Sequence, residues 1–384
     1  MKSTGILIFS ISIAVVYSCS PAKKLSRDKA STIGSLKLID EYVVPYNLQY
    51  KGTTVGGLSG IDYDSKNDIY YLISDDRSAI NPARFYTAKI SVDDKGIDTV
   101  LFTDVNSLKD ANGNVYPSRT NDPRHAPDPE SMRYNPLKNE FVWGSEGERI
   151  VTRERTVLED PAIYIIDKSG ICKDSFELPA NMHMHLEEKG LRQNGVFEGL
   201  SFTPDYKYLF ASVEEPIYED GPRAGTGDST AWVRFLKFEA TTKKQVAQYA
   251  YRIESIPYPS NPPGGYKING IPDILNISDN KFIVIERAFA TGHTGNTVRI
   301  FLADASEAAN VADVSSLSML DVIHPITKKL LLNMDDLGRY IDNVEGVTFG
   351  PLLRNGHRSL IFVVDNNFDE SEKTQFFLFE VLPE

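Results

Sequence analysis

Glu198-Gly199-Leu200-Ser201-Phe202, the turn Thr203-Pro204-Asp205-Tyr206, and the run Lys207 to Val213 closing on Glu214-Glu215 form a unit that occurs five times in the 384 residues. Its pattern is a Gly or acidic start, an alternating strand, a turn, and a second strand ending in acids. The other copies start at Gly57-Leu58-Ser59-Gly60-Ile61, Glu130-Ser131-Met132, Ile271-Pro272-Asp273-Ile274 and Glu345-Gly346-Val347. With Ile61, Met132, Leu200, Ile274 and Val347 as equivalents, the spacings are 71, 68, 74 and 73 residues. Such regularity marks a repeat architecture.

Between these hairpins lie further strand-like stretches, Ala83 to Ile90, Ala162 to Asp167, Ala231 to Glu239 and Thr297 to Ala303. About four strands per unit make a propeller blade, which buries both faces against its neighbours and exposes only short edges. The expected fold is all-β, a β-propeller of five or six blades forming one domain over residues 36–384. The final strand Gln375 to Leu382 is expected to pair with Leu36 to Val44 and close the ring. Helix-like composition is confined to Met334 to Tyr340 and Ser306 to Leu317, both broken. Nineteen Tyr and nineteen Phe among 26 Gly and 21 Pro fit many short strands separated by turns.

Lys plus Arg total 41 against 53 Asp plus Glu, a net charge of -12. No basic run could neutralise a row of phosphates, so nucleic acid is excluded as a partner. Lys2 and the apolar run Ile6 to Val16 read as a signal peptide over residues 1–18, too short to span a bilayer. Val16-Tyr17-Ser18-Cys19 resembles a bacterial lipobox, which makes Cys19 the lipidation site and residues 19–35 a tether. The expected protein is an exported lipoprotein of the bacterial cell envelope, in the periplasm or outer membrane, working as a monomer. With Cys19 lipidated, Cys172 has no disulfide partner.

Acids recur where a propeller's inner strands reach the central channel. Glu130, Glu198 and Glu345 share one repeat position, and Asp273 lies close to it. Four converging carboxylates repel, and need protons or a hard, oxygen-liganded cation such as Ca²⁺. The other role open to each Glu is to cap its own blade's turn. A second acidic set, Asp75, Asp76, Glu146, Glu214, Glu215, Glu286 and Asp365, follows the second strands, accompanied by Arg77, Arg84, Arg192, Arg234 and Arg287. Acids with Arg suit a phosphorylated or carboxylated substrate, because Arg holds two anionic oxygens at once and a metal shields the rest; any single Arg can equally serve a surface salt bridge. A Gly-x-Ser-x-Gly elbow, a Walker loop and a dinucleotide fingerprint are absent from the sequence. His183-Met184-His185 reads as a metal pair or as solvated turn histidines.

Gly60-Ile61-Asp62-Tyr63, Ser74-Asp75-Asp76-Arg77 and Ala83-Arg84-Phe85-Tyr86 resemble the opening of the phytase-like family described as "esterase-like activity of phytase". The likeness continues in order through Leu191-Arg192-Gln193-Asn194, Phe197-Glu198-Gly199-Leu200, Ile285-Glu286-Arg287-Ala288-Phe289, Asp342-Asn343-Val344-Glu345-Gly346 and Val364-Asp365-Asn366-Asn367-Phe368. It spans roughly residues 50–382. The resemblance implies an exported β-propeller that hydrolyses small-molecule esters or phosphate esters with Ca²⁺. On this reading Glu130, Glu198, Asp273 and Glu345 hold the metal. Arg77, Arg84, Arg192 and Arg287 stabilise developing negative charge, and Glu214 or Asp75 activates water. The rival is a non-enzymatic lipoprotein propeller that binds a ligand or protein partner, its metal only structural.

Overall fold

The computed structural model describes Met1 and residues 33–227 and 230–384. The expected signal peptide, Cys19 and all but the end of the tether lie outside the described residues. From Ile33 onward the chain builds five antiparallel sheets in sequence order, a five-bladed β-propeller. Blade 1 comprises Leu58–Asp64, Ile69–Ser74, Arg84–Asp93 and Gly96–Ser107. Blade 2 has Pro129–Asn135, Glu140–Ser145, Ala162–Ile166 and Cys172–Ser175, with a hairpin of Glu148–Val151 and Thr156–Glu159 inserted. Blade 3 has Phe197–Phe202, Tyr208–Val213, Ala231–Glu239 and Gln245–Ile253.

Blade 4 differs at its inner edge. Lys267–Gly270 and Ile274–Ser278 both pair with Lys281–Ala290, followed outward by Thr297–Asp304 and Thr327–Asn333. The break falls on Pro272, which has no N–H to give the ladder. Blade 5 takes Asn343–Leu352, Arg358–Asp365 and Thr374–Pro383, and its fourth strand is Ile33–Val44 from the start of the domain. The expected closure is therefore present, with the N-terminal strand beginning three residues earlier than Leu36. Of the expected helical segments, Met334 to Tyr340 holds only the 3₁₀ turn Met334–Leu337, and Ser306 to Leu317 is irregular, with a 3₁₀ turn, Leu317–Met319, starting at its last residue. No helix among the described residues is long and apolar enough to cross a membrane.

Period-two alternation explains the packing. In Leu360-Ile361-Phe362-Val363-Val364, Ile361 and Val363 join Ile61, Leu72 and Tyr86 of blade 1, whereas Leu360, Phe362 and Val364 join Ile283, Ile285 and Ile300 of blade 4. Three further apolar clusters fill the remaining interfaces: Ile73, Phe85, Met132 and Trp143 between blades 1 and 2, Val142, Ile163, Leu200 and Leu236 between blades 2 and 3, and Phe210, Phe235, Ile274 and Phe282 between blades 3 and 4. The core is five wedges, one per interface. Around the axis the inner strands nearly touch: a Cβ on Gly346 would meet the backbone of Gly60 and Ile61, and one on Gly199 the backbone of Asp273 and Ile274.

The axis itself is closed by Arg133. Its Nε donates to Leu200 O (2.6 Å), Nη1 to Ile61 O and Val347 O, and Nη2 to Ile274 O (3.1 Å) and both oxygens of Asp273 (2.8 and 2.7 Å). One guanidinium thus bonds the inner strands of the four other blades. Asp273 also accepts from the backbone N–H of Val347 and Ile274. Arg133→Met would strand a buried carboxylate and four carbonyls, and is expected to cost about 3–5 kcal/mol in urea unfolding, the usual penalty for breaking a buried ion pair. The double variant Arg133→Met/Asp273→Asn should regain part of that loss; a single variant as stable as the wild type would contradict the role of the plug.

Candidate metal centre

Two sets of equivalent positions converge at one end of the channel. In the first, the inner strands of blades 1, 2, 3 and 5 each shift register where they begin, between Leu58 and Gly60, Pro129 and Met132, Phe197 and Gly199, and Val344 and Gly346. Such a bulge frees a residue from the ladder and re-aims its side chain. The residues at this position are Ser59, Glu130, Glu198 and Glu345, with Pro272 in blade 4. In the second set, the residue after the second strand in blades 1–3 and its equivalent within that strand in blades 4 and 5, the residues are Asp75, Glu146, Glu214, Arg287 and Asp365. Seven carboxylates and one guanidinium result.

Arg287 is shared among its neighbours. It donates to Glu345 and Asn343 through Nη1 and to Glu214 through Nη2 (3.2 Å). Asn343 Nδ2 adds a bond to Glu345 (2.6 Å). At the opposite side Asp128 extends the cluster, paired with Arg77 (3.0 Å), which also meets Glu148 (3.3 Å), itself 2.9 Å from Arg119. Glu146 donates nothing and accepts only from Val196 N through Oε1. Buried oxygens of these two sets with no donor among the described residues are Glu146 Oε2, Glu198 Oε2, Glu214 Oε2 and Asp365 Oδ1.

Desolvation and mutual repulsion push these acids upward. Burial is the leading cause for each. Asp128, Glu198 and Glu146 then raise Glu130; Asp128 and Glu214 raise Glu146; Glu214, Glu146 and Glu345 raise Glu198; and Asp365, Glu345 and Asp128 raise Asp75, all to well above the carboxylate range. Burial lifts Glu345 to about 8 although Arg287 opposes it, Asp128 to about 7 against Arg77, and Asp365 to about 6 against backbone N–H donors. Glu214 and Glu198 face each other as two acceptors, a contact that requires a shared proton or cation.

The donor set fits a hard cation. Asp128, Glu130 and Glu146 can bring one oxygen each within 4.8 Å of one another, and so can Glu146, Glu198 and Glu214. These two groups of acids could hold metal ions, with Glu146 common to both. The unpartnered oxygens of Glu146 and Glu198 supply the independent sign that something besides protein donors belongs there.

Of the residues expected at the site, Glu130, Glu198, Glu345, Asp75, Glu214 and Arg287 come together in the two sets, and Arg77 flanks them through Asp128. Asp273 does not join them. It follows the Pro272 break by one residue, and a one-residue offset turns a strand side chain to the other face, here onto Arg133. Arg84 is fully buried and committed to Asp76 (2.7 Å), Tyr86 Oη and Thr54 O. Arg192 donates to Pro216 O and Gly221 O and lies over the Tyr218 ring, 4.1 Å from its centroid. Both arginines brace loops of their own blades. His183 pairs with Asp160 (2.7 Å), and no His belongs to either metal-competent group among the described residues. The sequence reading did not single out Asp128, Glu148 or Arg133; a basic side chain inside an inner strand, where the equivalents are Asp62, Ser201, Leu275 and Thr348, is the signal that marks Arg133.

Residues 53–368 match the phytase-like family described as "esterase-like activity of phytase". The chain belongs to this family. No curated protein sequence matches this phytase-like chain significantly. Solved structures that resemble it include an α-L-arabinofuranosidase from Lactobacillus brevis (10% identity, 85% of this chain and 91% of that one, TM-score 0.43). An endo-arabinase from Bacteroides thetaiotaomicron (11%, 89% and 99%, 0.41) and a periplasmic gluconolactonase from Pseudomonas aeruginosa (10%, 86% and 87%, 0.36) are also similar.

A folded-state pKa above the unfolded value means that the folded protein holds protons which the unfolded chain releases. Stability of the metal-free protein is therefore fully present below the ordinary carboxylate range and lost as pH rises through about 6, 7 and 8, where Asp365, Asp128 and Glu345 ionise. In chelator, Tm is expected to fall by several degrees from pH 5 to pH 8, and saturating Ca²⁺ should remove most of that fall. A chelator Tm that rises over this interval would contradict the assignment.

Proposed function

We propose that this phytase-like propeller is a hydrolase of ester or phosphate-ester bonds that works through a cation, Ca²⁺ by donor chemistry, held by its convergent carboxylates. The observation that carries this is the seven-to-one excess of acids over Arg at one end of a channel whose axis is blocked by Arg133. Glu130, Glu146, Glu198 and Glu214, with Asp128, are the residues that would hold the metal. Its contribution is to polarise the scissile carbonyl or phosphoryl group and offset the charge that builds on it.

The protein's own groups divide the remaining work. Glu198 and Glu146 are buried and serve as ligands, whereas Asp75 and Glu130 are only partly buried. Asp75, raised by burial and by Asp365 and Glu345 in the metal-free protein, would take a proton from the attacking water once a bound cation favours its carboxylate form. Glu214 is fixed by Arg287 and fits a ligand better than a base. Arg77 is committed to Asp128, Glu148 and Gly147 O, and its role is to hold Asp128 at the edge of the acids rather than to meet a substrate oxygen. Water adds to the acyl carbon or phosphorus, the ester C–O or P–O bond breaks, and the leaving alkoxide takes up a proton from the site. Separately, from the apolar run Ile6 to Val16 and the lipobox-like Val16-Tyr17-Ser18-Cys19, we propose an exported lipoprotein anchored at Cys19.

Glu198→Gln is expected to lower turnover of an aryl ester or aryl phosphate at least 100-fold in the Ca²⁺-supplemented protein without unfolding it. Asp75→Asn should lower kcat by about 10²–10⁴-fold, the span of general-base catalysis, while leaving Ca²⁺ binding intact. Undiminished, chelator-resistant turnover in Glu198→Gln would overturn the proposal.

A further inference from the structure

Next to Arg287 and Glu214 a cavity of about 310 Å³ opens on the same end of the channel. Its walls carry three aromatic rings, Tyr266, Phe289 and Tyr340, and four amides, Asn194, Asn296, Asn343 and Asn367. Tyr266 is 59% and Tyr340 38% exposed, unusual for large rings that could have been packed away. A second cavity, of about 260 Å³, shares Phe289, Gly295 and Asn296 with the first and is bounded by Tyr258 stacked on His293 (4.9 Å between centroids). The two form one groove that leads away from the acids. Three of the four exposed tyrosines among the described residues lie along it.

The charge of this groove constrains what it can hold. The first cavity is lined by three carboxylates, Glu214, Asp342 and Glu372, against one cation, Arg287. That cation already donates to Glu345, Asn343 and Glu214. Lys373 lies over the Tyr340 ring, 5.5 Å from its centroid, and does not line the cavity. Even with Glu214 engaged by Arg287 and a cation, a polyphosphate would meet the carboxylates of Asp342 and Glu372 with no free cation among the lining residues and would leave its own charges unpaired. An uncharged ring bearing several hydroxyls meets the opposite situation. Its C–H face can pack on Tyr266 or Tyr340, and its hydroxyls can donate to Asp342 and Glu372 and exchange bonds with the Asn amides.

We propose that the groove is the subsite for an uncharged polyol or sugar ring, so that the scissile ester joins such a ring to the group that reacts over the acids, and that a polyphosphorylated ring is not its ligand. The proposal rests on the convergent acids being the reacting centre, but its test does not require turnover. Saturation-transfer NMR and calorimetric titration on the purified protein, once in chelator and once with Ca²⁺, would use myo-inositol, methyl glycosides of glucose, xylose and arabinose, and myo-inositol hexakisphosphate. At least one neutral ring is expected to bind at millimolar concentration, and Tyr266→Ala or Tyr340→Ala should weaken it at least fivefold with Tm unchanged. The hexakisphosphate should not bind. Binding of the hexakisphosphate more tightly than any neutral ring, binding indifferent to both Tyr variants, or no neutral ring bound at all would each overturn the proposal. Any of those results alongside Ca²⁺-dependent ester turnover would leave the hydrolase reading standing, whereas neutral-ring binding without turnover would remove that reading and keep the groove.

Discussion

The contact between Arg133 and Asp273 at the axis is the constraint on which the remaining geometry depends. Five β-sheets arranged around a line must bring their inner strands close together, and doing so buries inner-strand carbonyls that need donors. Arg133 satisfies one carbonyl from each of the other four blades, and Asp273 neutralises it while accepting backbone N–H bonds from blades 4 and 5. The equivalents of Arg133 in two other blades are used similarly: Asp62 accepts from Tyr134 N and Ser201 from Asn276 N, each stapling one blade to another. With the axis fixed and filled, the start of each inner strand has one place to point.

That placement produces the electrostatic problem which defines the site. Repetition puts an equivalent residue from every blade at the same end of the channel, so an acid favoured at that position in several blades becomes a cluster. Blade 4 departs from the pattern twice, with Pro272 where an acid would stand and Arg287 where Asp75, Glu146, Glu214 and Asp365 stand, and both changes lower the negative charge. They do not cancel it. Mutual repulsion and lost hydration leave protons or a cation as the only compensation, and at neutral pH protons alone must be held against pKa values near 6 to 8 for Asp365, Asp128 and Glu345. Close backbone approach assists: at Gly57, whose φ is +59°, and at Gly270, a Cβ would collide with Asp75 and Glu214 respectively.

Much of this was legible in the sequence because repeats expose equivalence. The five hairpins, the third strands such as Ala231–Glu239, the closing pair of terminal strands, and the convergence of Glu130, Glu198 and Glu345 all follow from aligning five short segments. What stayed hidden depended on offsets and partners. Asp273 is one residue from its expected position, and the interruption at Pro272 decides which face it takes. Arg84 and Arg192 resemble Arg77 and Arg287 in sequence, yet local carbonyls and Asp76 consume the first two. Asp128, set between Pro127 and Pro129 before the repeat begins, and Glu148, on a hairpin unique to blade 2, belong to no repeated position. The groove beyond Arg287 is assembled from strand ends and loops of three blades and has no contiguous signature.

The most direct test of the account is the cation stoichiometry of the purified domain, measured by native mass spectrometry after exchange into Ca²⁺ and compared with Glu146→Gln. Glu146 is the one carboxylate common to both metal-competent groups. The account predicts bound Ca²⁺ in the wild type and loss of ions from both groups in the variant. A wild type that binds no divalent cation, or a Glu146→Gln protein with unchanged stoichiometry, would contradict it.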